Sequence, residues 1–135
     1  RGSEVHDDIA VTEDGTLWAG TEGGGLMHYQ KGVWRAFGMA EGLTNGFVRV
    51  IFEDSQQRLW VGTDGGLFRL ENERLIRIDN RDDIASMSVH TICEDRAGRL
   101  LIGGWLVDPR WKANTVLHLK RKPGGQKHSH DSPDG

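Results

Sequence analysis

The chain has 135 residues, a formal net charge of −3, 36% hydrophobic and 27% charged residues. This composition is typical of one globular domain with its own core, and no apolar run approaches the roughly 18 residues of a membrane helix. The sequence has no dense Lys/Arg stripe, so a nucleic-acid partner is not predicted. The single cysteine, Cys93, excludes an intrachain disulfide and a cysteine-rich zinc site.

One sequence pattern recurs about every forty residues. The first repeat, residues 11–26, contains Glu-Asp, Leu-Trp, Gly-Thr and Gly-Gly-Leu in that order, and residues 51–67 repeat the same order. Trp18 and Trp60 hold the same place in the first two repeats, and Asp54 and Asp95 hold the same place in the second and third. A fixed period of this length is typical of a repeat architecture.

The second repeat predicts four short strands, at residues 48–53, 58–62, 66–71 and 74–78, because β-branched and aliphatic runs alternate with Asp, Gly, Ser and Asn. Along Leu59, Trp60 and Val61 successive side chains point to opposite faces, yet all three are apolar. Both faces must therefore be covered. The sequence predicts an all-β fold of β-propeller blades, which are four-stranded antiparallel sheets, in an incomplete ring.

The third repeat departs from the pattern. It has Leu101 where the other two have tryptophan, and residues 105–114 are inserted before a predicted third strand at 115–119. A fourth strand is not visible. We predict a partial propeller over residues 1–119, with blades at about 5–37, 47–78 and a partial one at 88–119, and a flexible polar tail at 120–135. Cys93 is predicted to be a small buried strand residue.

Residues 42–54 (Gly-Leu-Thr-Asn-Gly-Phe-Val-Arg-Val-Ile-Phe-Glu-Asp) and 58–67 (Arg-Leu-Trp-Val-Gly-Thr-Asp-Gly-Gly-Leu) carry a family resemblance. They resemble the two-component regulator propeller repeats in the sensor regions of bacterial hybrid histidine kinases and related regulators. The resemblance covers residues 9 to about 104. It implies a periplasmic or extracytoplasmic location, although the chain shows no signal peptide.

Three blades are fewer than the four to eight or so that close a propeller. Exposed blade faces at both ends of the array predict that a partner completes the ring. That partner is either a second copy of the chain or the missing blades of a longer one.

The insertion is the first candidate for a ligand site. Two indoles beside charged donors and acceptors suit stacking on a sugar-like ring; the candidate residues are Trp105, Asp108, Arg110, Trp111 and Lys112. The alternative interpretation is that both tryptophans cover the exposed end of the array.

A catalytic interpretation stays open, because propeller enzymes such as streptogramin lyases and lactonases have repeats that resemble these. It would use His28 or His90 as a base, with an acid among Glu22, Asp64 and Asp83. The sequence contains neither a P-loop nor a dinucleotide fingerprint, so no cofactor is predicted. A metal centre is not expected either: His128 and His130 lie together in the tail, but they predict only adventitious metal binding.

Three functional hypotheses follow from these features. The first is a ligand-sensing or interaction module that binds small glycans or a protein partner on its loop face. The second is a propeller hydrolase or lyase. The third is a structural unit whose activity is self-assembly. The fold alone does not choose among them.

Overall fold

The computed structural model describes residues 6–78, 87–106 and 114–119, and the side chains within 8–78 and 87–104. Within these residues the chain is almost entirely strand, with one short 3-10 helix at Met39–Glu41. The strands are β1 (His6–Val11), β2 (Leu17–Thr21), β3 (Leu26–Gln30), β4 (Val33–Phe37), β5 (Val48–Glu53), β6 (Leu59–Thr63), β7 (Gly66–Glu71), β8 (Arg74–Ile78), β9 (Met87–Glu94), β10 (Leu100–Leu106) and β11 (Asn114–Leu119).

The strands form three antiparallel sheets in the order of the chain. The first sheet is β1-β2-β3-β4, the second is β5-β6-β7-β8, and the third is β9-β10-β11. This confirms the predicted all-β fold of propeller blades, and the described residues do not close a ring. In the second sheet only β6 differs from its predicted bounds, since it begins and ends one residue later.

The predicted insertion is too long by two residues at its start. Trp105 and Leu106 belong to β10, because that strand's pairing continues to Trp105 against both Ser88 in β9 and Asn114 in β11. The predicted tail at 120–135 lies outside the described residues. The predicted outer bounds of the blades and of the tail remain predictions.

The three sheets stack face to face. We call the face of a sheet that contacts the following sheet its trailing face, and the opposite face its leading face. Leu59 and Val61, on the leading face of the second sheet, share a buried cluster with Trp18 of the first. Trp60, on the trailing face, packs instead in a cluster with Ile102 of the third. The alternation of β6 therefore buries both of its faces, as predicted.

The glycine of each Gly-Thr pair lets neighbouring sheets approach closely. A Cβ atom on Gly62 would lie 2.5 Å from a methyl group of Val89 in the third sheet and 2.6 Å from a methyl group of Val50. A Cβ atom on Gly20 would collide in the same way with Val48 of the second sheet. Each glycine thus leaves room for a valine from the first strand of the following sheet.

The aspartate of the Glu-Asp pair holds its own hairpin turn. One carboxylate oxygen of Asp54 accepts hydrogen bonds from the backbone N–H groups of Gln56 (2.8 Å) and Arg58 (2.9 Å). Its other oxygen accepts from the indole Nε1 of Trp60 at 2.8 Å. Asp95 binds the backbone N–H groups of its own turn in the same way. Asp54 is therefore buried with its charge paired to donors.

The glutamate of the pair reaches backward to the preceding sheet. Glu53 accepts from the backbone N–H of Glu13 at 2.9 Å. Glu94 accepts from the backbone N–H of Ser55 at 3.0 Å and from the Ser55 hydroxyl at 2.7 Å. We call this contact, from a first-strand glutamate to the turn of the preceding sheet, the inter-blade clasp. The Glu-Asp pairs of the second and third repeats thus have a structural role, which is to bind turn amides.

The first repeat has its Glu-Asp pair in a different place. Glu13 and Asp14 lie inside the turn between β1 and β2, whereas Val11 pairs with Leu17 as Glu53 pairs with Leu59. Val11 therefore occupies the clasp position of the first sheet. The turn is closed by Asp14, which accepts from the Thr12 hydroxyl and the Thr16 backbone; these bonds, the hydroxyl foremost, lower the pKa of Asp14.

Cys93 corrects another expectation. It is exposed, not buried. It takes the place of Phe52 in the next repeat and so lies on the trailing face of the third sheet. In the described part of the chain no further sheet covers that face, and the alternation of β9 could not reveal this.

Candidate functional site

The second-to-third strand loops of the first two sheets and the connector between these two sheets meet at one end of the stack. We call this end the loop face; its described segments are 21–25, 38–47 and 63–66. The backbone N–H groups of Gly23 and Gly25 donate to the carbonyl of Gly46 at 2.9 and 3.0 Å, and the N–H of Asp64 donates to the carbonyl of Phe47 at 3.1 Å. The connector is thereby fixed between the loops of the first two sheets.

Five polar side chains from all three sheets join at the loop face. The Arg49 guanidinium binds both oxygens of Asp64, each at 2.8 Å, and lies 3.9 Å from a carboxylate oxygen of Glu22. The Ser88 hydroxyl donates to Asp64 at 2.9 Å and is 2.9 Å from Nε2 of His90. We call this set the cross-blade network; Glu22 comes from the first sheet, Arg49 and Asp64 from the second, and Ser88 and His90 from the third.

The first strands supply most of this network. Strand β5 lies beside β1, and β9 lies beside β5, so side chains near the start of each first strand lie close together. His90 follows Arg49 by one repeat and occupies the same repeat position. One position of the repeat therefore supplies a cationic or basic side chain in two successive sheets.

The electrostatics of Asp64 follow from these contacts. The hydrogen bonds from Arg49 are the main cause that lowers the pKa of Asp64; burial opposes them, and the Ser88 hydroxyl adds to them. Asp64 is consequently a stable carboxylate, which suits an anchor for donors and not a general acid.

We expect Asp64→Asn to lower the free energy of unfolding by about 1 kcal/mol at pH 7, since the pair is partly exposed to solvent. Because the folded-state pKa of Asp64 is lowered, its contribution is fully present above the ordinary value of 3.8 and is lost as pH falls through the folded value. Urea unfolding at several pH values checks this. A difference between wild type and variant that stays constant down to acid pH would contradict it.

The cross-blade network does not form a nucleophilic triad. The Ser88 hydroxyl donates its proton to Asp64, so the imidazole of His90 has to donate to the Ser88 oxygen. A general base would have to accept the proton from that hydroxyl. The arrangement instead links three sheets and leaves the imidazole of His90 exposed and the carboxylate of Glu22 partly exposed to solvent.

The structure brings together three of the five predicted catalytic candidates, Glu22, Asp64 and His90. His28 lies apart from them in β3, with its ring 4.7 Å from Trp18 and 5.6 Å from Phe37. Its repeat counterpart, Arg69, covers Trp60 in the same way at 5.6 Å. His28 therefore packs over the core tryptophan, and Asp83 lies outside the described residues.

The predicted ligand site in the insertion stays a prediction. Trp105 lies in β10, but its side chain is outside the described set, as are Asp108, Arg110, Trp111 and Lys112. His128 and His130 are outside it as well. Among the described residues, no three His, Cys, Asp or Glu side chains are placed to hold a metal ion, and no helix has the length and apolarity to span a membrane.

Sequence reasoning missed Arg49, Ser88 and Phe47. Phe47 is exposed, and its ring lies against Gly23, where a Cβ would be 3.3 Å from the nearest ring carbon. The shared repeat position of Arg49 and His90 was the available signal for the network. No sequence signal gives the exposure of Phe47, because it depends on how the connector crosses the two loops.

The opposite end of the stack holds an open depression of about 300 Å³ lined by Glu13, Asp14, Glu53 and Gln57. Its polar groups already bind one another: Glu53 accepts from the Glu13 backbone, and Gln57 donates to the Glu13 carboxylate at 2.9 Å. This depression therefore lies at the inter-blade clasp between the first and second sheets.

Residues 42–65 and 83–105 match the family model described as the two-component regulator propeller, so these two segments are similar to the repeats of that family. A curated relative, histidine kinase P4 of Formosa agariphila, is 42% identical over an alignment of 72 residues; the match covers 47% of this chain and 5% of the relative. The chain therefore spans only a small part of that protein.

Two solved structures are similar in fold, and both are extracellular domains from B. thetaiotaomicron. One, from a protein described as a one-component system, has a TM-score of 0.66 at 24% identity, over 87% of this chain and 17% of that chain. The other is a structure of the same protein, described there as a hybrid two-component system, and has a TM-score of 0.61 at 24% identity, over 76% of this chain and 15% of that chain. Both similarities support the propeller fold.

Proposed function

We propose, from the two-component regulator propeller repeats that this chain carries, that it is an extracytoplasmic ligand-sensing or interaction module whose loop face binds a small glycan or a protein partner. The single observation that carries the proposal is the cross-blade network, which gathers polar side chains of three sheets at one exposed end. The extracellular origin of the two similar solved domains supports the location.

The chemistry at the loop face fits a glycan. The exposed ring of Phe47 offers an apolar surface at the end of the connector, two residues before Arg49 in β5. Glu22 and His90 offer an acceptor and an imidazole at the partly exposed ends of the network. Ligand sites in proteins combine an apolar or aromatic surface with a few placed polar groups in this manner.

The same geometry supports a sensing role. A ligand that contacts Glu22 and His90 touches the first and the third sheet at once, with the Arg49–Asp64 pair between them. Such a ligand can favour one relative placement of the sheets only to the extent that it binds that placement more tightly. The network supplies the contacts through which this difference would arise.

Binding to a panel of soluble glycans, measured by calorimetry, tests the proposal. We expect saturable binding without turnover, and a loss of at least about tenfold in affinity for Phe47→Ala and for Glu22→Gln. Trp111→Ala tests the contribution of the insertion separately. Val33→Ala, which changes an exposed residue at the start of β4 and outside the segments of the loop face, is the control and should bind as wild type does.

Two results would contradict the proposal. One is the absence of binding across a broad glycan panel together with the absence of a protein partner. The other is turnover of a bound compound that is abolished by His90→Ala while the fold is retained, since that outcome would establish the hydrolase or lyase hypothesis instead.

A further inference from the structure

Glu22 and Phe47 face each other across an isolated antiparallel bridge between the β2–β3 loop and the connector. The backbone N–H of Gly23 donates to the carbonyl of Gly46 at 2.9 Å, and this is the hydrogen bond next to the pair. Residues paired in this way have side chains on the same side and Cα atoms about 4.5 Å apart. The bridge therefore places a carboxylate beside an aromatic ring at the loop face.

The ring of Phe47 is positioned by a glycine of the same loop. A Cβ atom on Gly23 would lie 3.3 Å from Cζ of the ring and 3.6 Å from Cε1, so the tip of the ring rests on the bare backbone of Gly23. Gly23 has a φ of +97°, a conformation that other residues adopt only with strain. Phe47 is still 44% exposed. The ring is therefore held at its tip, while much of its surface is open to a ligand.

The carboxylate of Glu22 is bound only loosely within the cross-blade network. Its side chain is 44% exposed and lies 3.9 Å from the guanidinium of Arg49, which exceeds the roughly 2.7–2.9 Å of a charge-assisted hydrogen bond. Arg49 is held away from it, because Nε and Nη2 of its guanidinium each bind an oxygen of Asp64 at 2.8 Å. The Glu22 carboxylate can therefore accept hydrogen bonds from a ligand.

The charged groups of the network have a net negative charge while His90 is neutral. Glu22 and Asp64 contribute two carboxylates, whereas Arg49 contributes one guanidinium. The hydrogen bonds from Arg49 also lower the pKa of Asp64, which keeps that carboxyl ionised. An anionic group placed at Glu22 would be repelled by its carboxylate, and a cationic group would be attracted. The charge balance therefore favours a cationic ligand over an acidic sugar.

A carboxylate beside an exposed aromatic ring is suited to bind an ammonium group. The carboxylate accepts charge-assisted hydrogen bonds from the N–H groups of the ammonium. The negative face of the ring attracts the same positive charge, and the ring also packs against the apolar face of a sugar. A hydroxyl in the same place would gain a hydrogen bond to the carboxylate but not the attraction between unlike charges. The pair of Glu22 and Phe47 thus favours an amine over a hydroxyl.

We propose that Glu22 and Phe47 bind a protonated primary amine, so that the glycan recognised at the loop face is an amino sugar with a free ammonium group. This inference rests on the proposed function, because it names the class of glycan that the loop face binds. Both residues belong to the joint between the first two sheets, so the amine site is complete within the described residues.

Calorimetry with three oligosaccharides of equal length tests the amine site. Oligomers of β-1,4-linked glucosamine, N-acetylglucosamine and glucose share one skeleton and differ only in the ammonium, acetamide or hydroxyl group at carbon 2. At about pH 7, with the amine protonated, we expect the glucosamine oligomer to bind at least about tenfold more tightly than the other two. This preference should decrease as the salt concentration rises, because salt screens the attraction between exposed charges.

Substitutions separate the contribution of charge from that of shape. Glu22→Gln keeps one acceptor oxygen without the charge, and it should reduce the preference for the amine over the N-acetylated sugar from about tenfold to less than about twofold. Phe47→Leu, which is apolar without an aromatic face, should reduce that preference about threefold, whereas Phe47→Tyr should retain it. Glu73→Gln is the matched control, since it removes the same charge from an exposed residue between β7 and β8; it should keep the wild-type preference.

Circular dichroism confirms that each variant folds. The amine site is overturned, while the proposed glycan binding stands, if the three oligosaccharides bind equally well or if only another glycan of the panel binds. It is also overturned if Glu22→Gln keeps the wild-type preference. A lysine-containing peptide that binds more tightly than the glucosamine oligomer would show that the ammonium group comes from a protein and not from a sugar, and this too overturns the assignment. The absence of binding by every glycan would contradict both the amine site and glycan binding at the loop face.

Discussion

Trp60→Ala is expected to lower the free energy of unfolding by about 3–5 kcal/mol, the range for truncating a large buried aromatic side chain. Trp60 is 2% exposed and packs in the cluster between the second and third sheets. Its removal also leaves one oxygen of the buried Asp54 carboxylate without the indole donor. The cost therefore combines a cavity with a buried charge that has lost a hydrogen bond.

Urea unfolding followed by far-UV circular dichroism measures this effect. Trp34→Ala is the matched control, since it removes the same side chain from an exposed position; at a concentration where the chain is monomeric it should change stability by less than about 1 kcal/mol. Equal losses for the two variants would mean that the stacking of the second sheet on the third contributes little to stability.

Gly42→Ala is expected to have the second-largest effect, a loss of about 2–4 kcal/mol. Gly42 has a φ of +102°, a conformation that alanine adopts only with strain. A Cβ atom there would also collide with the backbone carbonyl of Leu75 in the second sheet. Because the obstacle is backbone, it cannot be relieved by a change of rotamer.

Gly32→Ala separates the two causes. Gly32 also has a positive φ, of +83°, but a Cβ atom there would meet no atom within 4 Å. We expect it to cost only the conformational term, about 1 kcal/mol. If thermal unfolding gives the same loss for both variants, the close approach of the connector to β8 does not contribute. A larger loss for Gly42→Ala should be accompanied by weaker ligand binding, because the connector carries Phe47 to the loop face.

The sequence predicts the fold well because the fold is local and repeated. The strands of the second sheet were found to within one residue from the alternation of apolar residues and the turn residues between them. The faces of Trp60 and its neighbours followed from the same alternation. The prediction that Cys93 is buried was wrong, since Cys93 is exposed: the alternation of a strand shows which face a residue lies on, but not whether a further sheet covers that face.

The candidate site was predicted only in part. Glu22, Asp64 and His90 were chosen for their chemistry and their loop positions, and the network does connect them. Arg49 and Ser88 link those three side chains, and their roles depend on how neighbouring first strands are placed beside each other. That placement is a long-range property, so no local pattern encodes it.

Because of the inter-blade clasp, one sequence repeat does not contain all of the contacts that stabilise it. Glu94 belongs to the third repeat by sequence, but its hydrogen bonds close the turn at Ser55 in the second. A second repeat grafted into another propeller would bring Glu53 for its new upstream neighbour and would depend on its downstream neighbour for a glutamate. Recombination that exchanges a single repeat would therefore leave its turn without a glutamate partner unless the following repeat supplies one. Exchange of two adjacent repeats together would keep the clasp between them.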